Sequence, residues 1–266
     1  MIRSFHKIIP SKVKTIFVSS RKKIDYKVID TNTPNVYTCD ALDPNFDFKK
    51  SHPESLKLFA LSTRFIPPEE FKFELPRARV PEFAFVGRSN VGKSSLIRAL
   101  LNNDIVRVSK EPGCTKTINY YAFERERERA RMYLVDLPGY GFGKASKKDR
   151  EGWERVMSSY LTQRDFTVLR RVYVLIDSRR GLLEADKQML LMLSTFRISH
   201  QVILTKSDLI DQKSLSIVLE RLFQDIMGKQ RQSCLPIVHV VSALKDEGLL
   251  PLKQSITEIA VNSCYI

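Results

Sequence analysis

The chain has 266 residues, 43% of them hydrophobic. That is enough for a domain with a packed core and excludes a fully disordered polypeptide. The formal net charge of +14 favours a polyanionic partner, either nucleic acid or an anionic membrane surface. No apolar run approaches the ~20 residues that a membrane-spanning helix needs.

Taken in chain order, residues 1–24 hold seven basic side chains and no acidic one, so they supply +7 of the +14. Serines and apolar residues are interspersed among them, from Ile2 and Ser4 to Val18 and Ser20. This is the composition of a mitochondrial import peptide, although a solvated basic tail shares it. Residues 25–57 are rich in turn formers such as Pro34, Asn35 and Pro44, and a loosely ordered segment is expected there. Within 54–62 a short helix is predicted, ended by Pro67-Pro68.

From about residue 81 the pattern changes. Short apolar runs at 83–86, 118–123, 132–135, 172–176, 202–204 and 237–241 read as strands. Helical patterns at 93–102, 148–162, 183–193, 213–227 and 249–261 lie between most of them. The alternation predicts an α/β fold: a six-stranded, mostly parallel sheet with helices on both faces. Strands 118–123 and 132–135 are separated by too short a charged stretch for a crossover, so one of the six must run antiparallel. Trp153, Val156, Met157, Tyr160 and Leu161 share a helix face and read as core. His239 sits in an apolar run and is also assigned to the core. The other histidines and the cysteines show no metal-ligand or C-x-x-C spacing.

Gly87-Arg88-Ser89-Asn90-Val91-Gly92-Lys93-Ser94 fits the phosphate-loop pattern G-x-x-x-x-G-K-[ST]. It follows a strand pattern and opens a helix that continues through Ser95. Glycines let successive backbone N–H groups close around phosphate oxygens, and the helix N-terminus adds partial positive charge. Lys93 is assigned to the β and γ phosphates and Ser94 to Mg²⁺. Asp136-Leu137-Pro138-Gly139 follows the third strand. Asp136 is placed to hold Mg²⁺ through water, and the Gly139 N–H to meet the γ-phosphate.

Between these motifs lies Pro112-Gly113-Cys114-Thr115-Lys116-Thr117. Here Thr115, or failing it Thr117, can complete the Mg²⁺ shell, unless the stretch is plain turn chemistry. Thr205-Lys206-Ser207-Asp208 and the run Val241-Ser242-Ala243 each follow or end a strand. A carboxylate at Asp208 matches guanine's adjacent N1–H and 2-amino donors, and facing adenine it would be left unpaired. Lys206 can line the base, and a backbone N–H of the Ser242 loop can reach guanine O6. The nucleotide expected is therefore GTP or GDP.

The phosphate loop through Ser95-Leu96, together with Pro112-Gly113-x-Thr115, Asp136-Leu137-Pro138-Gly139-Tyr140-Gly141-Phe142-Gly143 and Thr205-Lys206-Ser207-Asp208, resembles the EngB family of P-loop GTPases. The resemblance runs from about residue 58 to 266, making that span the expected GTPase domain. With an import peptide in front, the chain looks like a mitochondrial member of the family. The resemblance implies a monomeric GTPase switch that assists assembly of the large ribosomal subunit, there of the mitochondrial matrix, with ribosomal RNA as a partner. A binding or tethering module with negligible turnover is the alternative.

The resemblance implies catalytic roles for Lys93, Asn90, Thr115 and Gly139. It also suggests K⁺ at Asn90, although Asn90 can equally serve the loop's backbone conformation. Tyr140 occupies the position where many GTPases place a water-orienting Gln, so slow hydrolysis is expected. Two basic stretches, one around Lys144, Lys147, Lys148 and Arg150 and one comprising Arg170-Arg171 and Arg179-Arg180, are candidates for RNA contact or for plain solvated surface.

Overall fold

The structure is a computed structural model. It describes residues 28–30, 35–39, 57–67, 75, 77, 80–103, 118–125, 129–141, 147–228 and 233–262. The strands are β1 Val28–Asp30, β2 Val36–Cys39, β3 Ser62–Ile66, β4 Glu82–Gly87, β5 Asn119–Glu124, β6 Met132–Asp136, β7 Leu169–Asp177, β8 His200–Thr205 and β9 Cys234–Val241. The helices are α1 Lys93–Leu101, α2 Lys147–Gln163, α3 Glu184–Thr195, α4 Gln212–Gly228 and α5 Leu249–Asn262, with a 3₁₀ turn at Ser207–Leu209. No described helix is long and apolar enough to cross a membrane.

The described strands form a nine-stranded sheet in the order β1-β2-β9-β8-β7-β4-β6-β5-β3. All six expected strands and all five expected helices are present. β9, β8, β7, β4 and β6 run parallel, and β5 pairs antiparallel with β6, as the short charged connection requires. Three further strands correct the six-stranded expectation. β2 pairs antiparallel with β9 and β1 antiparallel with β2, extending one edge inside the stretch expected to be loosely ordered. β3 extends the other edge against β5. The helix expected over 54–62 is replaced, in its described part, by a turn at 57–60 that leads into β3. Ser-Thr-Arg-Phe-Ile has the alternation and β-branching of an edge strand with one face covered.

Side chains of the central strands point alternately to opposite faces. Ala84, Val86, Val172, Val174, Val202 and Leu204 pack with α2, α3 and α4. Phe83, Phe85, Tyr173, Leu175 and Ile203 pack with α1 and α5. Burial on both faces is why β4 and β8 read as unbroken apolar runs rather than alternating ones. The chain leaves β4 for β5 and β6 on one side, then crosses to β7, β8 and β9 on the other. β4 is thus the point where strand order reverses, and the loops at the carboxyl ends around it form the crevice such sheets offer to ligands.

His239, on β9, is 2% exposed, and neither ring nitrogen has a hydrogen-bond partner. Burial, helped by the charge of Arg171, pushes its pKa down to about 3. The unfolded chain takes up this proton below about pH 6.5, whereas the folded chain refuses it until far lower. His239 therefore makes the fold less stable as pH falls from 6.5 toward 3, by up to about 1.4 kcal/mol per pH unit. Denaturant titrations at pH 7 and pH 5 are expected to show a shallower loss of stability in His239→Phe than in the parent chain.

Candidate functional site

The loop after β4 is shaped by two residues with positive φ. Asn90 has φ 63° and Gly92 φ 99°. Asn is among the few non-glycine residues that accept this region, and Gly92 does so without a Cβ penalty. The Val91 N–H donates to the Arg88 carbonyl at 3.1 Å, closing the turn, and the Leu96 N–H donates to the Gly92 carbonyl at 2.9 Å, opening α1. No side chain caps α1. Its first N–H groups therefore face the loop's concave side, as a phosphate cradle requires.

Parallel pairing of β4 with β6 brings the second motif alongside. The Leu137 N–H donates to the Phe85 carbonyl at 3.0 Å, and the Tyr140 N–H to the Gly87 carbonyl at 3.2 Å. Gly139 passes so close that an added Cβ would lie 3.0 Å from the Gly87 carbonyl oxygen. Lys93 Nζ forms a buried ion pair with Asp136 Oδ1. With Ser94 next in the chain, the hydroxyl and the Asp136 carboxylate supply two hard oxygen donors, which suit Mg²⁺ alongside phosphate oxygens and water. Among the described residues no cluster of three or more His, Cys, Asp or Glu side chains could hold a metal.

The base-reading motif is tied back to the phosphate loop. Thr205 Oγ1 donates to the Val91 carbonyl at 2.7 Å, and Lys206 Nζ to the Asn90 carbonyl at 2.7 Å. Lys206 adopts φ 58° and also pairs with Asp177 Oδ2 at 3.0 Å. Asp177 receives Arg179 bidentately, at 2.9 and 2.7 Å. Burial would raise its pKa, but these hydrogen bonds from Arg179 and Lys206 outweigh it and hold the carboxyl well below the usual range. Ser242 Oγ donates to Asp208 Oδ1 at 2.6 Å, and the Lys245 N–H donates to Ser242 Oγ at 3.1 Å. Asp208 is thereby aimed, and because a carboxylate oxygen accepts more than one hydrogen bond, both oxygens keep acceptor capacity for a base.

Sequence reasoning thus located residues that the fold brings to one mouth: 87–95, 136–139, 205–208 and 242–243. Val241 contributes differently from what was expected, because its side chain is buried in the core beside α5. Leu137 is likewise a core side chain. Pro112, Gly113, Cys114, Thr115 and Thr117 lie outside the described residues, as does Lys144. Of the second basic stretch, Arg171 Nη1 donates to Gln201 at 2.8 Å, Arg179 is spent on Asp177, and Arg170 Nη1 donates to the Phe166 carbonyl at 2.8 Å. Arg180 is exposed.

Two contributors carried no sequence signal, and a third was read only for its packing. Asp177 and Asp186 are isolated carboxylates in no recognisable motif. Trp153 was assigned to the core, but its indole Nε1–H donates to the Pro138 carbonyl at 3.0 Å. A polar handle on a buried aromatic was the available clue.

Comparison with known proteins agrees with this geometry. A family model described as 50S ribosome-binding GTPase matches residues 82–206. The probable GTP-binding protein EngB of Wolbachia sp. subsp. Drosophila simulans is 43% identical over 177 residues, spanning 65% of this chain and 87% of that protein. The EngB protein of Mesorhizobium japonicum is 40% identical over 198 residues, spanning 73% and 90%. The chain belongs to the EngB family. It is therefore a GTPase.

Among solved structures, a point variant of Aquifex aeolicus Era bound to GDP·AlF₄⁻ superposes with TM-score 0.55 at 22% identity, over 68% of this chain and 57% of that one. Era in complex with MgGDPNP and a stretch of 16S ribosomal RNA gives TM-score 0.54 at 22% identity, over 69% and 57%. These likenesses establish the shared P-loop GTPase fold.

In this EngB-family chain the Ser242–Asp208 hydrogen bond aims the carboxylate expected to meet guanine. Ser242→Ala is expected to weaken GDP binding at least about tenfold, the lower weight of one hydrogen bond to a charged group. Binding of ATP, already poor, should be unmoved. Equilibrium titration with fluorescent nucleotides measures both.

Proposed function

We propose that this chain is a GTP-gated switch that assists assembly of the mitochondrial large ribosomal subunit in the matrix, with slow hydrolysis of its own. The observation that supports this most is the convergence at one mouth of the phosphate loop, the Asp136–Gly139 segment and an Asp208 aimed by Ser242, in a chain of the EngB family. Residues 1–24 carry the composition of an import peptide, and the +14 charge suits ribosomal RNA. The family model's description names 50S ribosome binding, and the Era complex holds ribosomal RNA. Both lend support to a ribosomal partner for a monomeric chain.

In this reading the amides of 88–94 cradle the phosphates. Lys93 neutralises the β and γ phosphates, and the Gly139 N–H meets the γ-phosphate. Ser94, Asp136 and Thr115 would hold Mg²⁺, which would supply neutralisation of phosphate charge when bound. Asn90 is a candidate K⁺ ligand beside the phosphates. The Lys93–Asp136 pair is poised for exchange: phosphate would draw the ammonium, leaving the carboxylate free to hold Mg²⁺ with Ser94. A triphosphate thus enters a site whose charges are already desolvated. The Tyr140 phenol, turned toward Asp186, does not take the place of a water-orienting Gln. That placement also favours a second reading, a tethering module with negligible turnover.

Sedimentation of a mitochondrial lysate is expected to carry the protein with large-subunit particles in GTP and release it in GDP. Co-migration with no particle, or with the small subunit, overturns the ribosomal assignment. Turnover measured with and without large subunits separates the two readings, since acceleration marks the switch and its absence the tether. Equal turnover in KCl and NaCl removes K⁺ from Asn90.

Asp208→Asn presents one acceptor and one donor where guanine needs two acceptors. Affinity for GTP is expected to fall at least about 100-fold. Competition binding should show a relative gain for xanthine nucleotides, which carry a carbonyl at the 2-position.

A further inference from the structure

Tyr140 directly follows the amide assigned to the γ-phosphate, and its side chain reaches to Asp186 of α3. The phenol is buried and donates to Asp186 Oδ1 at 2.8 Å. The other oxygen of Asp186 accepts the Leu183 N–H at 2.9 Å, so the carboxylate is fixed at the first turn of α3. At the other end of the residue, the Tyr140 N–H is held by the Gly87 carbonyl at 3.2 Å. The peptide joining Gly139 to Tyr140 is thus pinned between the phosphate loop and α3. A third tie comes from α2, where Trp153 Nε1 donates to the carbonyl of Pro138. Gly139 lies between these anchors, against the Gly87 carbonyl.

We propose that Tyr140 is a positioning residue for the γ-phosphate-reading amide of Gly139, acting through its buried hydrogen bond to Asp186. The inference rests on the reading that Gly139 meets the γ-phosphate. A Phe would fill the same space in the core, so packing alone does not require the hydroxyl. What the hydroxyl adds is a directional link to α3. Without it, Asp186 keeps a buried oxygen with no donor, and the segment loses the contact that sets its height above the phosphates. Burial, with the Asp186 charge behind it, raises the phenol's pKa well above its usual value, and burial also raises that of Asp186. Both effects fit a bond enclosed away from water. Arg88 of the phosphate loop adds its charge beside Asp186 and Tyr140, joining all three elements electrostatically.

The full chain is compared with its Tyr140→Phe, Asp186→Ala, double and Gly139→Ala variants. Affinities for GDP and for a non-hydrolysable GTP analogue are measured, with Trp153 emission, from the chain's one tryptophan, as a second readout. Tyr140→Phe is expected to weaken the GTP analogue about fivefold to tenfold while leaving GDP within about twofold. It should also shrink the difference in Trp153 emission between the two nucleotide states. The double variant is expected to lose no more GTP preference than either single change, because both remove one bond.

Equal weakening of both nucleotides, no weakening of either, or additive losses in the double variant overturns the proposal. Gly139→Ala separates its failure from that of the underlying reading. A GTP-selective loss in Gly139→Ala with none in Tyr140→Phe refutes the positioning role alone. No selective loss in Gly139→Ala refutes both.

Discussion

Lys93, the first residue of α1, and Asp136, the last of β6, are buried together, and neither can be left without an opposite charge there. An isolated buried charge costs several kcal/mol, so each holds the other until something better replaces both. The rest of the molecule is arranged to place this pair. β4 and β6 must lie side by side to bring the two residues together, at the point where the strand order reverses. A triphosphate with a divalent cation is the kind of ligand that can replace both charges at once, anion for carboxylate and cation for ammonium. The site is therefore closed electrostatically before it is filled.

The same logic spreads outward from the pair. Asp177 balances Lys206 and Arg179, and Lys206 in turn holds the Asn90 carbonyl of the phosphate loop. Thr205 holds the neighbouring Val91 carbonyl. The loop that would grip phosphates is thus propped from outside by the strand end that would read the base. Deforming one displaces the other, since only two hydrogen bonds and no flexible linker intervene. Carbonyls pulled outward by Thr205 and Lys206 leave the loop's amides facing inward, where an anion needs them.

How much of this was legible in the sequence depended on whether spelling or contact defined the residue. The central strands, the five helices and the four motif segments were legible, because buried runs, helical spacing and glycine placement are local patterns. The edge strands were not. β1 has three residues and β2 four, and their pairing is decided by the exposed flank of β9 rather than by their own composition. β3 followed a stretch with helical spacing, and the partner that decided its fate, β5, lies more than fifty residues away. Asp177 and Asp186 were missed for the same reason, since a lone carboxylate acquires meaning only from what folds against it. Arg179 is exposed, as a surface reading allows, but its pairing with Asp177 two residues earlier, at a strand end where the chain turns back, had no local signal.

The run Asp-Leu-Pro-Gly-Tyr-Gly shows both kinds of knowledge in six residues. In the sequence it was recognisable as a unit without any reason for its particular letters. In the structure each letter has a separate cause. Asp136 answers Lys93, and Leu137 fills the core under α2. Pro138 exposes a carbonyl to the Trp153 indole. Gly139 permits the close pass over Gly87. Tyr140 reaches Asp186 across to α3. Gly141 adopts φ 77°, where an added Cβ would lie 3.1 Å from Arg88 Nε. The six residues therefore touch α1, α2, α3 and the phosphate loop within one turn of chain. A segment contacting so many elements transmits displacement in every direction, which is the geometric requirement for sensing one phosphate group and reporting it elsewhere. A water-orienting side chain at position 140 would have to point inward, and it could not then also tie the segment to α3. In this chain the fold uses position 140 for the tie.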